Sequence, residues 1–386
     1  MKILHVISSM NPEKGGVSQA VRNIICQNQF AEHAVVCFDS ETEAYSIEDR
    51  FKTYKIGFGK TGFQYQPTFV TWLTKHAGEY DCVTVHGIWQ YHNYAVYRAF
   101  SSMKKKGKDR IPKVAIMPHG MLDPYFQRDP TRKLKAMRNE ILWRITEKKA
   151  INAADTLLFT CEEELRLAKT TFRGYKPKKE LNVGLGVAHP PFFKQIMKLA
   201  FNKTVQLNQA YLLFLSRIHP KKGIDLLIDA YKKLYRTHEN IPDLVIAGPL
   251  DSLYAQEMRD LAADCPRIFF TGMLMGNAKW GAFYGAEAFV LPSHQENFGI
   301  AVVEALACSK AVLITNKVNI WREIEIGNGG IVKSDTENGI YNLLKDWIFL
   351  SDVEKRNKST SAKKVYQNTF TIEKSAKQFL KGTTNL

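Results

Sequence analysis

No stretch of the 386 residues approaches the ~18 consecutive apolar residues without charge that a membrane span needs, so the chain reads as soluble or peripheral. The first apolar run, Ile3 to Ile7, stops at Ser8, Ser9 and Asn11, too soon for a signal-peptide core. Cysteine is scarce and scattered. Cys26, Cys37, Cys82, Cys161, Cys265 and Cys308 form no C-x-x-C pair, and no histidine stands beside them at metal-ligand spacing. Reduced thiols in a cytosolic protein are expected, and structural zinc is not. No two aspartates are separated by a single residue, no repeat of solenoid period is visible, and no biased segment exceeds the charge cluster Lys104–Arg110. Acidic side chains are also short, 38 Asp and Glu against 54 Lys and Arg, a formal net charge of +16. Such a chain attracts polyanions: nucleic acid, anionic lipid or phosphorylated small molecules.

What is present describes a globular protein: 45% hydrophobic, 24% charged and 11% aromatic residues, excluding disordered, collagen-like and coiled-coil classes. At ~150 residues per domain, the 386 residues suffice for two or three domains. Short β-branched or apolar runs recur at Lys2–Ser8, Ala34–Asp39, Asp81–His86, Lys113–Pro118 and Asp155–Thr160, separated by longer segments of helical spacing. The series restarts at Ala210–Ser216 and continues through Asp243–Gly248, Arg267–Gly272, Ala286–Pro292 and Ala311–Thr315. Strands alternating with helices predict parallel sheets covered on both faces. Between the two series, Leu181–Pro191 carries glycines and paired prolines that suit a linker and resist regular structure. The expectation is an α/β protein of two doubly wound, Rossmann-like domains, 1–185 and 186–369, facing each other across a cleft. Ligands in open α/β sheets sit beyond the carboxyl ends of the strands, so the chemistry is sought there.

Four constellations fall at such ends. Glu296-Asn297-Phe298-Gly299 follows the run Phe289–Pro292, and Glu304 lies inside the helix that comes next. Eight helical steps cover ~12 Å, too far for the two carboxylates to share one proton. They could instead hold two hydroxyl-bearing rings on either side of a pyrophosphate, with Gly299 giving close backbone approach and free N–H groups. The plainer alternative makes Glu296 a helix-start acid and Glu304 a solvated residue. Arg217 and Lys222 follow the run Tyr211–Leu215, and Gly223 opens a helix, as a pyrophosphate clamp would require. Gly15-Gly16 follows the first strand, either for backbone approach to a ligand or as an ordinary turn. His119-Gly120 and His86-Gly87 end two more strands, where an imidazole can bind a hydroxyl or move a proton, His119 being preferred.

Weaker signals remain. Gly57-x-Gly59-x-x-Gly62 matches a dinucleotide fingerprint but follows a later strand than the first. Tyr54 stands where a phosphate-binding loop ending Gly59-Lys60-Thr61 needs glycine. Arg128–Lys149 carries eight basic and three acidic residues, and Leu134, Met137, Ile141 and Ile145 share one helical stripe. That stripe is expected to pack into a core, and the surrounding charge to lie on anionic lipid.

Together these residues resemble glycosyltransferase family 4, retaining enzymes of GT-B fold that use nucleotide sugars. The resemblance covers nearly the whole chain and is most specific from Val290 to Thr315. A narrower resemblance is to the glycosyltransferases of cyanobacterial heterocyst-envelope polysaccharide. By resemblance, Glu296 holds donor-sugar hydroxyls with the backbone of Asn297, Phe298 and Gly299, and Glu304 binds the ribose. His119 meets the transferred sugar near its C6 hydroxyl, Gly272-Met273-Leu274 borders the base, and Gly15-Gly16 is the amino-terminal glycine loop. Arg217 and Lys222 stabilise the departing diphosphate without a metal, in keeping with the missing D-x-D pattern of metal-dependent GT-A enzymes. A last helix, Ile372–Leu380 within 370–386, returns to the first domain. Where relatives read glycine-x-proline-valine, this chain has Ser309-Lys310-Ala311-Val312, which puts the geometry of that turn in doubt.

The implied activity moves a hexose, from UDP-glucose first and a GDP-sugar second, to a polysaccharide or lipid-linked oligosaccharide. No cofactor and no nucleic acid partner are expected. The rivals are a GT-B sugar-nucleotide epimerase or hydrolase and a non-catalytic, basic polyanion-binding protein.

Overall fold

The computed structural model describes residues 1–12, 16–26, 31–45, 49–108, 110–238 and 240–384, and it divides into two α/β units, Met1–Gly186 with Ile372–Leu386, and Val187–Thr371. The first unit holds β1 (Lys2–Ile7), β2 (Glu32–Cys37), β3 (Lys52–Lys55), β4 (Cys82–His86), β5 (Lys113–Met117), β6 (Thr156–Phe159) and β7 (Glu180–Asn182). Their order is β3-β2-β1-β4-β5-β6-β7, with every pairing parallel. The second unit holds β8 (Tyr211–Leu215), β9 (Asp243–Ala247), β10 (Ile268–Gly272), β11 (Ala288–Leu291), β12 (Ala311–Thr315) and β13 (Gly330–Lys333). Their order is β10-β9-β8-β11-β12-β13, again all parallel.

Unbroken apolar runs make these strands. Leu212, Leu213, Phe214, Phe289, Val290 and Val312 are all completely buried, as residues of a sheet covered on both faces must be. In each unit the chain winds outward to one edge and then jumps back. This leaves a crevice between β1 and β4 in the first sheet and between β8 and β11 in the second.

Three strands escape the sequence pattern, β3, β7 and β13. The edge strands β3 and β7 are short and half-buried, and their polar residues read as loop while protecting the edges from stray pairing. Leu181 and Asn182 therefore belong to β7 rather than to a linker, through the pairs Leu158↔Leu181 and Phe159↔Asn182. The first unit takes back the helix Ile372–Thr384, whose Phe379 shares a core with Ile3, Ile24, Met117 and Val183.

The basic segment corrects a second expectation. Leu134, Met137, Ile141 and Ile145 are 81%, 60%, 50% and 55% exposed, so their stripe faces out instead of packing. The helix Lys133–Leu142 runs into a wider π-helical turn, Trp143–Glu147, that brings Trp143, Thr146 and Glu147 inward. Trp143 is buried and stacks on Phe172 at 4.7 Å between ring centroids.

Glu147 is wholly buried and accepts a hydrogen bond from Asn93 Nδ2 at 2.5 Å. Burial pushes its carboxyl up to about 7, although Asn93, the backbone of Trp89 and Thr146 all favour the charged form. Between its ordinary value and about 7 the unfolded chain has lost a proton that the folded protein keeps, so stability falls as pH rises through that window. The fall amounts to at most about 3 kcal/mol. Glu147→Gln is expected to flatten this slope in denaturant midpoints followed from about pH 5 to about pH 8. An unchanged slope would clear Glu147 of the effect.

Candidate active site

In the second unit the loop after β8 carries Arg217 and then a 3₁₀ turn, Pro220–Lys222, that ends at Gly223. Gly223 has φ +64°, and a Cβ there would stand 2.3 Å from the carbonyl oxygen of Pro292, so glycine is needed for both conformation and space. This close approach places the β8 loop against the end of β11, across the crevice. His294 N–H donates to the Lys221 carbonyl at 2.9 Å and completes the join.

Beyond β11 the backbone of Glu296 is pinned on both sides. Its N–H donates to Lys317 O, and its carbonyl accepts from Asn319 N–H, each at 2.9 Å. Its carboxylate receives a hydrogen bond from the ammonium of Lys222, a side chain only 7% exposed. Burial pushes the Glu296 carboxyl up. The charge and hydrogen bond of Lys222, with the charges of Lys221 and Arg217, outweigh that and hold it below the ordinary glutamate value. Arg217 is exposed and forms no ion pair or hydrogen bond among the described residues. The structure thus unites Glu296 and Lys222, with Arg217 near enough to be felt. Glu296 answers a lysine rather than a helix dipole.

Gly299, at φ +77°, opens the helix Ile300–Ala307 without a side-chain cap. Among the described residues the N–H groups of Phe298, Gly299, Ile300 and Ala301 meet no acceptor, which leaves them free for an anion. Phe298 is buried edge-on against Phe370, and Asn297 Oδ1 accepts from Asn319 Nδ2 at 3.4 Å. Glu304, on this same helix, is only 8% exposed and pairs with Lys279 Nζ at 2.6 Å, so it is not a solvated surface group. Lys279 lies on the helix Gly276–Gly285, just past Gly272-Met273-Leu274. In that turn Gly272 has φ +76° and its carbonyl accepts from Gly248 N–H at 3.0 Å, Met273 is 66% exposed and Leu274 is buried. Sequence reasoning missed Lys279, because one lysine on a short, otherwise uncharged helix carries no signal of its own.

In the first unit Asp39, wholly buried, holds the loop after β1. It accepts from Ser9 Oγ at 2.5 Å, Met10 N–H at 2.7 Å and Tyr45 OH at 2.6 Å. Gly16 begins the helix Gly16–Cys26, and a Cβ there would meet nothing within 4 Å, while Gly15 lies outside the described residues. A cavity of about 420 Å³ opens at the crevice between β1 and β4, with Ser9, Asn11, His86, Gln90, Arg132 and Arg138 among its lining. His119 follows β5 at φ +53°, a conformation costly for any residue with a Cβ. Glu164 holds this turn by accepting from Gly120 N–H at 2.5 Å and from Thr160 N–H at 2.8 Å. Nothing in the sequence pointed to Glu164 as this support.

The family model described as glycosyl transferases group 1 matches residues 196–364. The second unit is a glycosyl transferases group 1 domain. The chain aligns with the D-inositol 3-phosphate glycosyltransferase of Kribbella flavida at 30% identity over 179 residues, 43% of this chain and 42% of that one. The lipopolysaccharide 1,2-N-acetylglucosaminetransferase of Salmonella typhimurium is 27% identical over 196 residues, 48% of this chain and 49% of that one. The chain thus spans less than half the length of these curated relatives. HepE of Anabaena, solved in complex with UDP-glucose, superimposes over 100% of both chains with a TM-score of 0.73 at 15% identity, which shows the fold alone. That fold is GT-B.

The turn that leaves the Ile300–Ala307 helix of the group 1 domain keeps its geometry without glycine. Ser309 takes φ +59°, its N–H donates to Leu306 O, and Lys310 N–H donates to Ala305 O, the hydrogen-bond pattern of a glycine-type helix end. At Glu304, burial raises the carboxyl above its ordinary value and Lys279 opposes the rise. Lys279→Met removes the opposing charge. The Glu304 carboxyl is then expected to move further up, so that stability drops more steeply than in the parent as pH rises past the ordinary glutamate value. Parallel slopes in pH-dependent unfolding of the two proteins would show that the pair is not coupled.

Proposed function

We propose that the protein is a retaining glycosyltransferase that moves a hexose from a nucleoside-diphosphate sugar, UDP-glucose first and a GDP-sugar second, to a polysaccharide or lipid-linked oligosaccharide. The observation that carries this reading is the Lys222–Glu296 pair beside Arg217 at the crevice of the group 1 domain. A diphosphate arriving there meets one buried ammonium and one free guanidinium, together with the open N–H groups at Phe298–Ala301. Lys222 and Arg217 stabilise the negative charge that grows on the leaving diphosphate, with no metal required. Glu296, kept ionised by the same cations, accepts hydrogen bonds from hydroxyls of the donor sugar. Glu304 accepts from the ribose, and the turn Gly272–Leu274 borders the base. His119 hydrogen-bonds a hydroxyl of the transferred sugar. The anomeric configuration is retained, and the departing phosphate oxygen takes the acceptor proton.

Titration calorimetry with UDP-, GDP- and ADP-sugars, with and without EDTA, tests the donor. One sugar nucleotide is expected to bind equally in both conditions. Arg217→Ala and Lys222→Ala are each expected to lower kcat by roughly 10²-fold to 10³-fold, the loss typical of one transition-state donor. Glu304→Ala is expected chiefly to raise KM. Unchanged kinetics in all three variants would defeat the assignment, and sugar-nucleotide turnover without an acceptor product would favour the epimerase or hydrolase reading.

The exposed stripe Leu134, Met137, Ile141 and Ile145 lies among Lys133, Lys135, Arg138 and Arg144, a composition that suits the surface of an anionic bilayer. Salt-sensitive sedimentation with phosphatidylserine vesicles is expected, weakened by Met137→Ser with Ile141→Ser. Equal sedimentation with neutral vesicles would remove the electrostatic part of this reading.

A further inference from the structure

Four histidines of the first unit form a diagonal that the strand register explains. His33 on β2 lies opposite Ile3 on β1, and two residues on is His5; His5 lies opposite Thr84 on β4, and two residues on is His86. His86 lies opposite Met117 on β5, and two residues on is His119. Steps of two keep all four on one face of the sheet, each a diagonal neighbour of the next. Their rings meet in single file. His33 Nδ1 contacts His5 Nε2, His5 Nδ1 contacts His86 Nε2, and His86 Nδ1 contacts His119 Nε2, each at 2.9 Å. Phe379 stacks on His5 from the helix that covers this face.

Every link joins the Nδ1 of one ring to the Nε2 of the next. A neutral imidazole has one N–H and one lone pair, so a choice at any ring dictates the choice at all the others. Only two states connect the whole file, with all protons on Nδ1 or all on Nε2. Burial keeps the rings neutral: His33 and His119 are lowered to about 4, and His5 and His86 lie well below the ordinary value, with His86 further depressed by His5, His119 and His92.

The far end selects between the two states. His33 Nε2 is buried and meets no partner among the described residues. If it carried a proton, a donor would be stranded; if bare, only a lone pair is left unused, the commoner kind of buried exception. Neighbouring His92 makes the same choice. Its Nε2 lies 3.0 Å from the His86 carbonyl oxygen, which can only accept, and its buried Nδ1 is left bare.

We propose that His33, His5 and His86 are positioning residues that act as one tautomer-setting chain and commit His119 to a neutral Nδ1–H. His119 Nδ1 has no partner among the described residues, and the residue is half-buried at the carboxyl edge of the sheet. The file therefore presents a hydrogen-bond donor there and no base. This protonation pattern stands on the geometry of the first unit; only its consequence for turnover rests on the function proposed above.

Imidazole ¹⁵N spectra of the full chain near neutral pH test it, since protonated and bare ring nitrogens resonate far apart and N–H···N couplings identify linked rings. All four rings are expected to be neutral with the proton on Nδ1. A ring with the opposite tautomer, or an imidazolium among the four, would overturn the proposal even if no variant folds. His33→Glu replaces the terminal donor with an acceptor, so His5, His86 and His119 are expected to switch together to Nε2–H. Rates with UDP-glucose are then expected to fall about fivefold to tenfold, the worth of one hydrogen bond. A folded variant in which His119 keeps its tautomer would break the coupling, whereas a switched His119 with unchanged rates would count against the sugar contact and leave the chain intact.

Discussion

A parallel sheet covered on both faces has no room for charge along its strands, and this constraint organises both units. An ion taken out of water costs several kcal/mol unless a partner and hydrogen bonds receive it. The buried ions here obey that rule. Lys222 meets Glu296, Lys279 meets Glu304, and Arg22 meets Asp49 through Nε at 2.7 Å. The first pair stands where the loop after β8 meets the end of β11, and the second lies on the helices beyond β10 and β11. The winding order that opens the crevice thus also gathers the charge.

The same constraint acts inside the first sheet in another form. Imidazoles on β1, β2 and β4 sit among Ile3, Cys82 and Met117, where a charged ring could not persist. They satisfy one another instead, and burial keeps them neutral. An atom at His33 that meets no partner among the described residues then has influence out of proportion to its size, because the file has no other loose end among them within the sheet. At the carboxyl edge, His119 accepts a left-handed backbone, and Glu164 bonds the next amide to hold it there. Strain and support are found together at that edge.

Much of the architecture was legible. Ten strands announced themselves as apolar runs between helical segments, and their carboxyl ends pointed to Glu296, Lys222, Arg217 and His119. The strands that were missed show why others stayed hidden. Lys52–Lys55 and Glu180–Asn182 are edge strands whose polar residues look like loop, since one side of each needs no apolar partner. The stripe at Leu134, Met137, Ile141 and Ile145 was legible as a stripe but not in its direction. A π-helical turn rotates Trp143 and Glu147 inward, and periodicity does not reveal an added residue in a turn.

By itself the sequence determined the local facts: which runs are apolar enough to be buried strands, and where glycine or a charge follows them. Those depend on neighbours along the chain. Only the tertiary structure decided which charge answers which, that Lys279 belongs with Glu304 and Lys222 with Glu296, and that four histidines scattered between His5 and His119 lie in one line. Partners across a sheet are set by strand order and register, and these come from packing the whole unit rather than from any one segment.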